Sequence, residues 1–280
     1  MNSEKIRELI REALAEDIGT GDETSSLILS GREKGTARAV AKGDGIVIAG
    51  MDVFREVFLS LDETTQVLTV VRDGMTAAQG TVLAEIDGSL KSMLTAERTA
   101  LNFLQRMSGI ATAARRYVEQ TRHTKAVILD TRKTTPTLRK LEKYAVSIGG
   151  ASNHRFGLYD AIMIKDNHIS AAGGVSAAIR KVTKGNIRKL PVEVEVKNLT
   201  EVREVLAAGG VDVIMLDNMS VPEMKEAVRL IGGMAKVEAS GNVTLTNVRE
   251  IAECGVDFIS VGSITHSAPA ADISLLFGTS

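Results

Sequence analysis

The second half of the chain alternates strand-like apolar runs with helical segments, and this alternation most constrains the fold. Helical segments such as TEVREVLAAGG and VPEMKEAVRLIGG separate the runs. Strand, helix and strand at intervals of 20–35 residues indicate βαβ units and therefore a parallel sheet. The six runs occupy residues 126–131, 161–166, 191–198, 211–218, 236–242 and 256–262.

The polarity of the third run bears on how this sheet is arranged, because a doubly wound sheet fits the spacing as well as a barrel does. Within residues 191–198, three valines point to one face and the charged Glu193, Glu195 and Lys197 point to the other. A parallel sheet covered on both faces is apolar on both. The charged face therefore favours a barrel whose interior opens into a site, and six strands predict a smaller or incomplete barrel.

The first 122 residues have a different pattern. Residues 4–16 have apolar side chains at helical spacing, and the Gly-rich, polar residues 17–35 predict a loop. Short strands follow, with turns predicted at Gly43–Asp44–Gly45, at Asp73–Gly74 and at Asp87–Gly88. A long helix is predicted over residues 94–122.

Composition argues against several classes of function. Lys and Arg total 34, Asp and Glu total 35, and aromatic residues make up 3% without any Trp, so neither a basic nucleic-acid surface nor a base-stacking platform is expected. We expect the single cysteine, Cys254, to be a buried core residue. The charged N-terminus lacks a signal-peptide apolar region, and no run reaches the roughly 18 apolar residues of a membrane span. We therefore expect a cytoplasmic protein.

Residues 130–168 concentrate positive charge, with seven Lys or Arg against four Asp or Glu. Several of these side chains follow predicted strands, where ligands bind in parallel α/β folds. We predict that they bind a small anion, because Arg pairs well with carboxylate and phosphate. By contrast, Arg139, Lys140 and Lys143 have helical spacing and are predicted to form a solvated helix face. The predicted anion-binding residues are Arg132, Lys133, His154, Arg155 and Lys165.

Two carboxylates end consecutive predicted strands, Glu195 and Asp217. Such a pair suits Mg²⁺, which usually keeps water and substrate phosphates among its ligands. Spacing alone leaves a second interpretation equally open, namely an internal salt bridge, for example to Lys197 or Lys236.

The last two predicted strands both end in turns of small residues, EASGNVTL and SVGSITHS. Ser and Gly let backbone N–H groups approach a phosphate, and barrels often bind phosphate after their last two strands. The alternative is an ordinary tight turn at each position. Two such turns on the last two strands favour a phosphate site.

Eight longer motifs together resemble a known enzyme family: AEDIGTGDET, AERTALNFLQRMSGIAT, LDTRKTTP, GGASNHRFGLYDAIMIKDNH, VEVEVKNLTE, IMLDN, EASGNVTL and GVDFISVGSITHSAPAADISL. They resemble the quinolinate phosphoribosyltransferases, also called nicotinate-nucleotide pyrophosphorylases (carboxylating), over residues 14–277. Two positions depart from the family pattern. Thr137 stands where Gly is common, and Ala151 replaces the third Gly of a GGG run.

The resemblance implies an α/β fold with an N-terminal α/β sandwich over residues 1–110 and an open parallel α/β barrel of about six strands over residues 111–267. The tail 268–280 is implied to return to the first domain. A homodimer is also implied, with each barrel's site closed by the partner. The implied reaction, in NAD biosynthesis, converts quinolinate and phosphoribosyl pyrophosphate to nicotinate mononucleotide, pyrophosphate and CO₂ with Mg²⁺.

The resemblance further implies roles for individual residues. Lys133, Glu195 and Asp217 are the implied catalytic residues, and the two carboxylates hold Mg²⁺ directly or indirectly. Arg98, early in the long helix, is implied to reach into the partner's quinolinate pocket. The implied substrate-binding residues are Arg98, Thr131, Arg132, Lys133, His154, Arg155, Lys165, Glu195, Asp217, Ser240, Gly241, Asn242, Val261, Gly262 and Ser263.

Three other functions are considered beside this one. A related phosphoribosyltransferase acting on nicotinate or another aromatic acid should need fewer cations. A Schiff-base aldolase would use Lys165. A non-catalytic anion-binding protein would not need Glu195 and Asp217 beside the cationic residues.

Overall fold

The computed structural model describes residues 3–278, and their contacts divide them into two compact units. The first unit comprises the described residues up to Ala113 and those from Ala268 onward, and the second comprises Ala114–Ser267. Among the described residues, no helix is both long and apolar enough to cross a membrane.

The first unit is built around a four-stranded antiparallel sheet in the order β12-β1-β5-β3, with a separate ladder of β2 and β4. A long helix, α4, leaves this unit and continues into the second. Numbered in chain order, the elements are α1 (Ser3–Ile18), α2 (Glu23–Ile28), β1 (Lys34–Ala41), β2 (Ile46–Val47), α3 (Met51–Leu61), β3 (Gln66–Thr69), β4 (Thr76–Ala77), β5 (Val82–Ser89), α4 (Leu90–Thr121) and, near the C-terminus, β12 (Ile273–Gly278).

Two local expectations for this unit are wrong, and a third is met. The predicted loop 17–35 contains α2, which begins where the Asp22 side chain accepts a hydrogen bond from the Ser25 N–H (2.9 Å). Strands β1 and β2 flank Gly43–Asp44–Gly45 as predicted, but they do not pair with each other: β1 pairs with β5 and β12, and β2 pairs with β4. Asp87–Gly88 lies inside β5, and a Cβ at Gly88 would lie 3.1 Å from the Thr65 Oγ1.

The second unit contains a six-stranded parallel sheet in the order β6-β11-β10-β9-β8-β7. Each predicted run contains one of these strands, so the prediction of an open α/β barrel of six strands is confirmed. The elements are β6 (Val127–Leu129), α5 (Arg139–Ile148), β7 (Ile162–Ile164), α6 (Asp166–Ala172), α7 (Val175–Gly185), β8 (Val192–Val196), α8 (Leu199–Ala208), β9 (Val213–Asp217), α9 (Val221–Ile231), β10 (Lys236–Ser240), α10 (Val248–Ala252), β11 (Phe258–Ser260) and α11 (Ser263–His266).

Strand β8 shows where the alternating valines and charged residues lie in the second unit. All three of its valines are buried, and Glu193, on the charged face, is only 6% exposed. Glu195, two residues further on, is partly exposed and lines a cavity. The same face therefore passes from a buried acid to a solvent-accessible one as the strand approaches its carboxyl end. Cys254 is buried, as expected.

Candidate active site

A cavity of about 860 Å³ lies in the second unit, at the carboxyl ends of the parallel strands. Fourteen of the fifteen sequence-predicted binding residues line it. The remaining one, Arg98, is exposed on α4 in the first unit. The cavity-lining predicted residues are Thr131, Arg132, Lys133, His154, Arg155, Lys165, Glu195, Asp217, Ser240, Gly241, Asn242, Val261, Gly262 and Ser263.

Two half-buried guanidinium groups occupy one corner of the cavity. The Arg132 Nε is buried and has no hydrogen-bond partner among residues 3–278, whereas the Arg155 Nη1 donates to the Ala161 carbonyl (3.1 Å). Burial lowers the pKa of Arg155, and the positive charge of Arg132 lowers it further. A positive corner with a free buried donor is suited to bind a carboxylate or phosphate.

The loop that carries His154 and Arg155 is anchored by a buried ion pair. The Lys143 Nζ donates to the Asp130 carboxylate (2.5 Å) and to the His154 carbonyl (2.9 Å). Asp130 also accepts from the His154 N–H (2.8 Å). Burial raises the pKa of Asp130 and lowers that of Lys143, although each charge opposes the shift of the other. The pair thus holds the main chain of His154 from both sides.

The expected solvated helix face is therefore wrong for two of its three residues. Lys143 is 3% exposed, because this side of α5 faces the end of β6 and the ammonium is neutralised there by Asp130. The Arg139 guanidinium donates to the Thr134 hydroxyl (2.9 Å) and to the Phe156 carbonyl (2.9 Å), so it ties together two loops. Lys140 is partly exposed.

Below the guanidinium corner lies an acidic cluster that sequence reasoning missed. The His154 Nε2 is 3.0 Å from the Glu193 carboxylate and 3.6 Å from that of Glu238, and the Ser260 hydroxyl donates to Glu238. Burial raises the pKa of Glu238 to about 8, and the charge of Glu193 contributes. The available signal was the alternation in β8, which places Glu193 on the same face as Glu195.

Glu195 and Asp217 lie at the ends of neighbouring strands and line the same cavity. The Glu195 carboxylate is 3.3 Å from the Lys165 Nζ, and the Asp217 carboxylate accepts from the Asn218 amide (3.1 Å).

Salt bridges to Lys197 and Lys236 are not formed, but Glu195 does take part in an internal salt bridge, with Lys165. Lys197 pairs with Asp166 (3.1 Å) and Lys236 pairs with Asp257 (3.0 Å). Both carboxylates at the ends of β8 and β9 thus line the cavity with oxygen atoms of the kind that a hard cation prefers.

The two small-residue turns also meet at this cavity. Gly241 has φ +93°, and a Cβ there would overlap the Asn218 side chain. Asn242 and Asn218 are themselves left-handed, and their side chains are hydrogen-bonded to each other (2.9 Å). At the other turn, a Cβ on Gly262 would lie 3.1 Å from Lys133. Asn218 also lines this cavity, and it was not among the predicted binding residues.

Comparisons with known proteins agree with this geometry. A model of the quinolinate phosphoribosyl transferase C-terminal domain matches residues 110–276, and one of the N-terminal domain matches residues 22–108. A probable nicotinate-nucleotide pyrophosphorylase (carboxylating) of Bacillus subtilis is 44% identical over 275 residues, which cover 98% of this chain and 94% of the relative.

Solved structures give the same result. The nicotinate-nucleotide pyrophosphorylase from Francisella tularensis has a TM-score of 0.94 at 41% identity, covering 99% of this chain and 98% of its own. NadC from Streptococcus pyogenes has a TM-score of 0.94 at 41% identity, covering 100% and 99%. The chain therefore belongs to the quinolinate phosphoribosyltransferase family.

Proposed function

We propose that the cavity binds quinolinate beside phosphoribosyl pyrophosphate and joins them with loss of CO₂. The observation that carries this proposal is the buried Arg132 Nε, which lacks a partner among the described residues and lies in the same corner as Arg155. A buried donor left unpaired costs about 1–3 kcal/mol, and more when it is charged. A substrate carboxylate that accepts a hydrogen bond from Arg132 removes this cost.

The number of cationic groups supports a dicarboxylate. Quinolinate has two adjacent carboxylates on a pyridine ring, and Arg132, Arg155 and Lys165 all line the cavity. His154 adds a polar group between them and the buried acids. Nicotinate has one carboxylate and would leave part of this positive charge unmatched. The proposal therefore favours quinolinate over a monoacid.

The chemistry then follows from where charge develops. The ring nitrogen of quinolinate attacks the anomeric carbon of the ribose as the bond from that carbon to the pyrophosphate oxygen breaks. Positive charge on the ribose is stabilised by the carboxylates of Glu195 and Asp217. The carboxylate next to the ring nitrogen leaves as CO₂, its electron pair remains on the ring carbon, and a proton from solvent replaces it. Lys133 stabilises the departing pyrophosphate.

Mg²⁺ fits this end of the cavity. Glu195 and Asp217 supply carboxylate oxygens on neighbouring strands, which are the ligands that Mg²⁺ prefers. When bound, Mg²⁺ would neutralise charge on the pyrophosphate. Backbone N–H groups of the two small-residue turns would bind the 5′-phosphate. The residues proposed for the phosphate are Ser240, Gly241, Asn242, Val261, Gly262 and Ser263, with Thr131 nearby.

A direct assay tests the proposal. Protein, Mg²⁺ and phosphoribosyl pyrophosphate are incubated with quinolinate or with nicotinate, and nicotinate mononucleotide and CO₂ are measured. We expect product from quinolinate, and a loss of about 2–5 kcal/mol of transition-state stabilisation in Arg155→Ala. Faster turnover of nicotinate would favour the alternative substrate. A borohydride-trapped adduct would favour the aldolase, which needs a free amine where the Lys165 Nζ lies 3.3 Å from Glu195.

The proposal includes a homodimer in which Arg98 acts on the partner's quinolinate. Arg98 is exposed, and within the described part of the chain it forms no ion pair or hydrogen bond. A cation brought in by a partner would exclude water from one side of the bound dianion. The cytoplasmic location expected from the sequence stays a prediction, which fractionation of the source cells would test.

Subunit mixing tests the role of Arg98. Arg98→Ala and Lys165→Ala are expected to be inactive separately. After random exchange, half of the dimers are heterodimers with one intact site of two, so about a quarter of wild-type sites should return. If verified exchange restores no activity, Arg98 does not act across the dimer.

A further inference from the structure

Two buried carboxylates lie beneath the cationic corner, and the proposed reaction uses neither of them. Glu193 is on β8 and Glu238 is on β10, with side chains 7% and 2% exposed. Both face the imidazole of His154, at 3.0 Å and 3.6 Å from Nε2. Within residues 3–278, neither carboxylate forms an ion pair with Lys or Arg. Among these described residues, the His154 imidazole is therefore the only ionisable donor in contact with the two buried acids.

Charge balance decides how such a cluster exists in a folded protein. Two carboxylates side by side at this depth cannot both ionise without a large cost, because their charges repel and both are desolvated. The hydrogen-bond directions allow one arrangement with a single charge. The Ser260 hydroxyl donates to Glu238, and His154 lies 3.0 Å from the Glu193 Oε2. The other oxygen of Glu193, Oε1, is buried without a hydrogen-bond partner among the described residues. The two acids and the imidazole place one polar atom each within 4.8 Å of one another, so a proton on Glu238 supplies the donor that Glu193 lacks.

The tautomer of His154 completes this series of hydrogen bonds. The Arg155 N–H donates to the Nδ1 of His154 (2.8 Å), so Nδ1 carries no proton and the ring donates to Glu193 through Nε2–H. Burial lowers the pKa of His154, while the hydrogen bond to Glu193 and the charges of both acids raise it, with a net rise. The hydrogen bond to Nδ1 is decisive for the neutral ring, because a proton on Nδ1 would face the Arg155 N–H directly.

We propose, on the basis of the function proposed above, that Glu238 is a neutral acid that donates to the unpartnered buried oxygen of Glu193, and that the pair positions His154 beneath the quinolinate site without a second negative charge there. Both acids are positioning residues, since they act through His154. Ionisation of Glu238 would add a second negative charge beneath Arg132 and Arg155. That charge would compete with the substrate dianion for the two guanidinium groups and weaken quinolinate binding.

The surroundings of Glu238 support its neutral state. From β9 the facing residue is the apolar Met215. From β11 the Ser260 hydroxyl donates to Glu238, which lowers the pKa of Glu238 and is the smaller effect. The charged groups that act on the cluster are Glu193 itself, Arg155 through its interaction with Glu193, and both Lys143 and Asp130 through their interactions with His154. Burial and the charge of Glu193 raise the pKa of Glu238 to about 8.

The test is the ratio of kcat/KM for quinolinate at pH 9 to that at pH 7. A single ionisation at about pH 8 lowers kcat/KM about tenfold across this range in the wild type. Glu238→Gln replaces the neutral acid by a neutral amide of the same shape, so this fall should disappear. The control is Glu204→Gln, which removes an exposed carboxylate on α8 and should keep the tenfold fall. A Glu238→Gln ratio equal to that of the wild type would overturn the proposal.

A second measurement needs neither substrate nor activity. Infrared difference spectra of the wild type should show a protonated carboxyl group at pH 7 that ionises at about pH 8 and that is missing in Glu238→Gln. Its absence from the wild type would refute the neutral acid even if the enzyme makes nicotinate mononucleotide. Failure to make that product, with the carboxyl signal present, would refute the proposed function instead. A stoichiometric metal that is lost in Glu238→Gln would show that the cluster is a metal site.

Discussion

Replacement of Lys143 by Met tests whether the buried ion pair holds the active-site loop. The Lys143 side chain is 3% exposed and that of Asp130 is fully buried. Lys143→Met removes the charge and the two hydrogen bonds to Asp130 and the His154 carbonyl, while the apolar stem is kept. Removing one partner of a buried pair costs about 3–5 kcal/mol, whereas an exposed pair contributes about 0–1 kcal/mol.

The assay is urea unfolding at pH 7, followed by circular dichroism, with Lys140→Met as the matched control on the same helix. We expect Lys140→Met to change the free energy of unfolding by at most about 0.5 kcal/mol. The double variant Asp130→Asn/Lys143→Met leaves no buried charge and should recover part of the loss. A loss in Lys143→Met no larger than in the control would refute the reasoning. So would a double variant less stable than the single one.

The stability of Lys143→Met is expected to depend on pH in one direction. Burial raises the pKa of Asp130 even beside Lys143, and removal of the ammonium must raise it further. The folded variant then retains a proton that the unfolded chain releases above its ordinary Asp pKa of about 4. The free energy of unfolding of Lys143→Met therefore falls as the pH rises above about 4. At acidic pH, the difference in free energy of unfolding between the variant and the wild type becomes smaller.

Three further variants test separate parts of the site and its loops. Glu195→Gln and Asp217→Asn should each lower kcat roughly a hundredfold and leave quinolinate binding, measured by calorimetry, unchanged. Wild-type turnover and Mg²⁺ dependence in both variants would show that these carboxylates have only a structural role. Thr137 has φ +67°, which is a strained conformation for a β-branched residue. Thr137→Gly should therefore raise the free energy of unfolding by about 0.5–1 kcal/mol. A decrease in the free energy of unfolding would show that no strain is present. A Cβ at Gly262 would have side-chain atoms of Lys133 and His266 as its three nearest neighbours. Gly262→Ala should raise the KM for phosphoribosyl pyrophosphate roughly tenfold, about 1.4 kcal/mol, in steady-state kinetics. An unchanged KM would show that the phosphate binds elsewhere.

The sequence predicted elements better than it predicted their partners. Each strand of the parallel sheet was found because apolar runs and strand ends are local signals, and βαβ connections leave few ways to arrange them. Strand β1 was found too, but one of its neighbours, β12, begins at Ile273. Pairing across so many residues leaves no local signal, so the strand pattern did not predict it, and only the family resemblance implied that the tail returns to this unit.

The errors at the site have a related cause. Charge at helical spacing shows that Lys143 lies on a helix, but it does not show which face is covered. Buried acids are also difficult to predict, because the cost of burying Glu193 or Glu238 is offset by partners on other strands and loops. His154 was selected because it lies in the cationic segment 130–168. Its contacts with both acids depend on the tertiary fold.

The partners of the cationic groups indicate how the protein reserves one of them for substrate. Lys143 is neutralised by Asp130, and Lys165 lies against Glu195. Arg155 donates to a carbonyl, while the Arg132 Nε is buried without a partner in the described chain. If Glu193 and Glu238 both carried a negative charge, they would neutralise the positive charge of Arg132 and Arg155 from inside the protein. A protonated Glu238 leaves the charge of the two guanidinium groups available to an anion that enters from the cavity. The protonated acid and the unpartnered Arg132 Nε therefore serve the same purpose, which is to bind the substrate anion.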